Sequence, residues 1–77
     1  MADNIKKRDY RKIFADNLKK IRNERKISQE YLANLAGLDR SYLGKVERLE
    51  KAPTIDVMGK LADALDVELV YLVEEIS

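Results

Sequence analysis

Ser28-Gln29-Glu30-Tyr31-Leu32-Ala33-Asn34-Leu35-Ala36-Gly37-Leu38-Asp39-Arg40-Ser41-Tyr42-Leu43-Gly44-Lys45-Val46-Glu47-Arg48 decides the fold of this chain. Ser28 is a good helix N-cap, because its hydroxyl can accept an otherwise unpaired backbone N–H of the first turn. The helix it opens, Gln29–Ala36, carries Leu32, Ala33 and Ala36 on one face. Gly37 stops it, since glycine readily takes the left-handed backbone that closes a helix. After Leu38, Asp39 is a second potential cap, and a second short helix, Arg40–Arg48, turns Leu43 and Val46 inward. A turn of only three residues, Gly37-Leu38-Asp39, makes two such helices cross at roughly 90–120° rather than lie antiparallel. Ala33 is the small side chain that so close a crossing needs. The opposite face of the second helix then carries Arg40, Ser41 and Lys45 outward, with Tyr42 and Arg48 at its edges.

Working outward, the spacing predicts a helix from Asp9 to about Arg25, with Tyr10, Ile13, Phe14, Leu18 and Ile21 recurring every three or four residues. Asp9 can cap its start. Residues 1–8, with Lys6, Lys7 and Arg8 in a row, read as a flexible basic arm. Downstream, Pro53 ends a loop and Thr54 caps a fourth helix, Ile55–Leu65, with Val57 or Met58, Leu61, Ala62 and Leu65 inward. The run Leu69-Val70-Tyr71-Leu72-Val73 suits a short helix or a strand, and helix is the preferred reading of Glu68–Ile76.

The chain of 77 residues has room for one domain, residues 9–77 after the arm. Charged residues make up 38% and hydrophobic ones 45%, enough for a small core and too apolar for a disordered chain. Cys and His are both absent, which removes disulfides, thiolate and imidazole metal ligands and the commonest general base. No apolar run approaches the length of a membrane span, and no signal peptide is recognisable. The expectation is a cytoplasmic protein with no enzymatic activity, no metal, no cofactor, no small-molecule ligand and no membrane partner. The net charge of +1 conceals two halves. Residues 1–51 hold 14 Lys and Arg against 8 Asp and Glu, whereas residues 52–77 hold 1 against 6. The first half suits a polyanion and the second repels one.

The quoted stretch resembles the helix-turn-helix of the Cro/cI-like (Xre-type) regulators of bacteria and phages. The similarity continues through Ala52-Pro53-Thr54 and Leu61–Val67, and it covers roughly residues 13–72. The resemblance implies a compact all-α domain of five helices, with Arg40–Arg48 as the recognition helix in the major groove of double-stranded DNA. It implies base contacts from Arg40, Ser41, Tyr42 and Lys45, and phosphate contacts from Ser28, Gln29, Arg48 and Lys51. It also implies a structural ion pair between Arg22 and Glu47, which orients the recognition helix. The family usually has glycine after that helix, where this chain has Leu49, so the loop there is a departure. Gly59, inside the fourth helix, marks either a close backbone approach or a weak point.

The implied function is a sequence-specific transcriptional regulator, acting as a homodimer on palindromic operators. The short chain and the Arg40-Ser41-Tyr42 stretch look like the controller proteins of restriction–modification systems. A phage-type repressor or a toxin–antitoxin antitoxin has the same fold, and a protein-interaction module without DNA binding is the alternative of a different class. Residues 67–76 carry more apolar side chains than one side of a short helix can bury, so Val70, Tyr71, Val73 and Ile76 are the expected dimer interface.

Overall fold

The computed structural model describes residues 7–75, and these form five α-helices with no strand among them. Lys6 of the basic arm and Ile76 of the expected dimer patch lie outside the described residues. Helix α1 spans Tyr10–Glu24, α2 Gln29–Ala36, α3 Arg40–Glu47, α4 Ile55–Leu65 and α5 Val70–Val73. The all-α, five-helix expectation is met, with α2 and α4 falling on the bounds read from sequence.

The first four helices start on a side-chain cap. The Asp9 carboxylate accepts the Lys12 N–H at 3.2 Å, and the Ser28 hydroxyl accepts the Tyr31 N–H at 3.0 Å. Asp39 accepts the Ser41 N–H at 3.0 Å and Thr54 accepts the Val57 N–H at 3.1 Å. Each such cap contributes about 1 kcal/mol. The four helices also end alike. A residue in the left-handed region follows each, namely Lys26, Gly37, Leu49 and Asp66, with φ between 56° and 70°. The next N–H then reaches back to a carbonyl five residues earlier: Ile27 to Arg22, Leu38 to Ala33, Glu50 to Lys45, and Val67 to Ala62, at 2.8–3.1 Å. Only one of these four stops is glycine, so the other three hold strained backbone.

Helix α1 packs on α3 and α5, and α2 packs on α3 and α4. Their shared core consists of Phe14 and Leu18 from α1, Leu32 and Ala33 from α2, Leu43 and Val46 from α3, Leu61, Ala62 and Leu65 from α4, and Leu72 from α5. Ala33 is fully buried where α2 meets α3, as a close crossing requires. One expected inward residue is not inward. Tyr10 is 58% exposed, because it lies at the first position of α1, beyond the end of the core. Buried Ala15 and Asn17 occupy the α1 face instead.

The last helix is a single turn, shorter than the Glu68–Ile76 reading, and Glu74 already returns to extended backbone. It has no side-chain cap of its own. Asn17 holds it from a distance: the buried Asn17 Nδ2 donates to the Glu74 carbonyl at 2.7 Å and reaches the Tyr71 carbonyl at 3.4 Å.

Candidate nucleic-acid interface

Helix α3 exposes Arg40, Ser41 and Lys45. The Asp39 cap fixes the start of the helix, so Arg40 and Ser41 leave its first turn from a defined backbone. Tyr42 is half-buried and packs partly against the core, which leaves only its edge for a partner.

Glu47, at the other end of α3, is only 3% exposed. It is satisfied from two other helices. Arg22 of α1 donates through Nε to Oε2 at 2.8 Å and through Nη2 to Oε1 at 2.9 Å. Gln29 of α2 donates through Nε2 to Oε1 at 2.8 Å. The remaining Arg22 Nη1 donates to the Ile27 carbonyl at 3.0 Å, closing the α1–α2 loop. One buried carboxylate therefore ties α1, α2 and α3 together, and the parallel two-bond fork of Arg22 fixes the angle of α3 as well as its position. A buried ion pair of this kind adds little net stability and much geometry.

The remaining phosphate candidates are placed unequally. Ser28 and Lys51 are exposed. The Ser28 hydroxyl accepts the cap N–H, which leaves its own hydrogen free to donate. Gln29 is half-buried, with one amide hydrogen given to Glu47. Arg48 caps the end of α3 and meets Glu50 through Nε at 2.7 Å. That hydrogen bond, with the attraction of the Arg48 and Lys45 charges, holds the Glu50 carboxyl below its ordinary range against the opposing effect of desolvation. The sequence reading did not include Glu50. Its signal was there, two residues from Arg48 across the Leu49 turn, but only the left-handed turn brings the two side chains together.

Of the expected dimer residues, Val70 is 50% and Tyr71 59% exposed, while Val73 is half-buried against the core. They lie on α5, and α5 packs on α1 rather than on the helix-turn-helix pair. Arg8 meets Glu75 at 3.0 Å, so the end of the basic arm pairs with the acidic C-terminal region across an exposed contact.

The helix-turn-helix family model HTH_3 matches residues 18–72. The chain belongs to this family. Control protein C.SmaI of Serratia marcescens is 41% identical over 61 residues, covering 79% of this chain and 73% of that protein. The crystal structure of the restriction-modification controller protein C.AhdI from Aeromonas hydrophila superposes with a TM-score of 0.77 at 44% identity, over 80% of this chain and 94% of that one. The immunity repressor protein of Bacillus phage phi105 is 40% identical over 58 residues, which is 75% of this chain and 40% of the repressor. The family and these relatives are regulators rather than enzymes. This member of the HTH_3 family is accordingly a DNA-binding transcriptional regulator. Among its described residues, no helix is long and apolar enough to cross a membrane.

Proposed function

We propose that the protein is the controller of a restriction–modification system, binding palindromic operators in the cytoplasm as a homodimer and regulating transcription without enzymatic activity. The observation that carries this reading is the exposed triplet Arg40, Ser41 and Lys45 on a helix whose orientation the Glu47 network fixes. The names of C.SmaI and C.AhdI support the controller assignment.

Inserted N-terminus first into the major groove, α3 brings Arg40 to the base edges, where its fork matches guanine O6 and N7. Ser41, Lys45 and the exposed edge of Tyr42 reach neighbouring bases. Ser28, Gln29, Arg48 and Lys51 meet phosphates on either side and set the register. The basic arm, through Lys7 and its neighbours, adds backbone contacts. One α3 reads too few base pairs for a unique genomic site, so a two-fold pair reading half-sites about 34 Å apart is required. Val70 and Tyr71, exposed on α5, form the partner surface with the half-buried Val73; Ile76, the fourth residue expected there, lies outside the described residues.

Selection of bound sites from random duplexes tests the reading, with a palindrome as the expected product. Arg40→Ala then relaxes preference at one base pair per half-site, by about 1–3 kcal/mol. Sedimentation tests the dimer: Tyr71→Asp yields a folded monomer. Recovery of no motif, or a wild type that stays monomeric at high micromolar concentration, overturns it. A phage-type repressor is the second reading, favoured by the phi105 similarity. Neighbouring genes separate the two: a methyltransferase and an endonuclease, or phage functions.

A further inference from the structure

Gly44 lies in the middle of α3, buried, with ordinary helical backbone. Glycine weakens a helix interior relative to alanine, and no positive φ demands it here. What a side chain would meet explains it. A Cβ on residue 44 would stand 3.0 Å from Arg48 Nη1 and 3.5 Å from Gln29 Oε1. Neither neighbour is backbone, and the nearer one is the far end of a flexible side chain. The fold can therefore accept a methyl group, provided that the Arg48 guanidinium gives way by a few tenths of an ångström.

That position is itself constrained. Glu50 takes the Nε and Nη2 edge of Arg48, at 2.7 and 3.4 Å, and so leaves Nη1 directed over Gly44. Arg40, Gly44 and Arg48 stand four apart along one face of α3, and Ser41 lies three before Gly44 on the same face. With Gln29 they line a notch of about 260 Å³. Its donors are the Arg40 and Arg48 guanidinium groups and the Ser41 hydroxyl, which hydrogen-bond phosphate oxygens, while the Gln29 amide oxygen faces Gly44 and its nitrogen is given to Glu47. Its floor is bare helix.

We propose that Gly44 builds a seat for one phosphodiester of the DNA backbone: by leaving no side chain between Arg48 and Gln29, it lets Arg48 lie back along α3 and hold the phosphate there. This rests on the DNA-binding reading and adds to it a residue with no donor of its own. Helix stability is given up at position 44 to place one guanidinium.

The test is Gly44→Ala in the full chain, read in two ways. Thermal unfolding reports the helix: the midpoint rises by a few degrees, because alanine favours the helix and the flexible Arg48 gives way to the methyl group, which then fills the floor of the notch. Anisotropy of a fluorescein-labelled random-sequence duplex, titrated at several NaCl concentrations, reports the seat. Affinity falls on the order of tenfold, and the slope of log affinity against log salt flattens by about one, as for the loss of a single phosphate contact. Adding Arg48→Ala to Gly44→Ala changes neither further. An affinity and slope equal to the parent's overturn the proposal, as does a fall in the unfolding midpoint, which would mean that Arg48 cannot move. A loss confined to particular base sequences also overturns it, since the notch would then hold a base edge. Failure of the parent itself to bind the duplex at low salt sinks the DNA-binding reading instead, and is seen before any variant is made.

Discussion

Helices α2 and α3 and helix α5 are held in opposite ways. The helix-turn-helix carries its instructions locally: a cap on each helix, glycine at the left-handed stop between them, and buried Leu32, Ala33, Leu43 and Val46 at helical spacing. Helix α5 has one turn, no cap and two of its four residues exposed, and its end is fastened by Asn17, more than fifty positions away. The unit proposed to face DNA is thus shaped largely by its own caps, stop and core spacing, with Arg22 of α1 fixing the angle of α3, whereas the unit proposed to face a partner is ordered by distant contact alone. Local unfolding should start at the second.

The sharpest way to break the rigid half is Arg22→Ala. It leaves Glu47 buried with only the Gln29 amide as donor, and an uncompensated buried carboxylate is strongly destabilising. We expect a loss of about 3 kcal/mol or more in chemical denaturation. A loss under about 1 kcal/mol, the range of exposed pairs, would show that water reaches Glu47 and that the network does not set the angle of α3.

Asn17→Ala attacks the other half. It removes the donor to the Glu74 and Tyr71 carbonyls, at about 1–2 kcal/mol. The comparison predicts where this appears. Amide exchange should accelerate in α5 and leave α2 and α3 protected, and the proposed dimer should weaken with it. Uniform acceleration throughout the chain would mean that α5 is part of the same cooperative unit.

The same contrast explains what could be read from the sequence. The bounds of α2 and α4, the four caps and the Gly37 stop are local chemistry, and each was legible. So was the exposed face of α3, because a helix with Leu43 and Val46 inward has only one place for Arg40, Ser41 and Lys45. The last segment was less legible: an apolar run with no cap or stop suits helix and strand alike, and the preferred helix proved right in kind but only one turn long, Val70–Val73. Asn17 was invisible for the complementary reason. A polar residue on an otherwise apolar face gives no sign that carbonyls from the chain's far end will reach it. The roles of Gln29 and Arg48 were legible only in part, because their partners Glu47 and Glu50 are brought close by the fold.

Leu49→Gly sharpens the account of helix ends. Leu49 holds φ at 66° immediately after the α3 cap, where glycine would sit without strain. We expect about 1 kcal/mol of added stability, the cost of left-handed backbone at a residue with a side chain, reduced by the lost packing of a partly exposed leucine. No gain would show that the leucine side chain compensates for its own strain.

The smallest effect comes from Gly59→Ala, and it separates two glycines that a sequence reading treats alike. Gly59 lies inside α4 as Gly44 lies inside α3, and each weakens its helix relative to alanine. Their surroundings differ. A Cβ on Gly44 would meet Arg48 and Gln29, whereas one on Gly59 would meet nothing within 4 Å. No close approach therefore requires glycine in α4, and the position is a weak point. Alanine there should add about 0.5–1 kcal/mol in denaturation and leave the affinity for random duplex DNA and its salt dependence at parental values. Gly44→Ala should raise stability similarly and lose affinity. If both variants keep affinity, α3 has no seat that depends on its bare face. If Gly59→Ala also weakens DNA binding, α4 contributes to the interface, and the separation between a DNA-facing α2–α3 unit and the rest of the molecule fails.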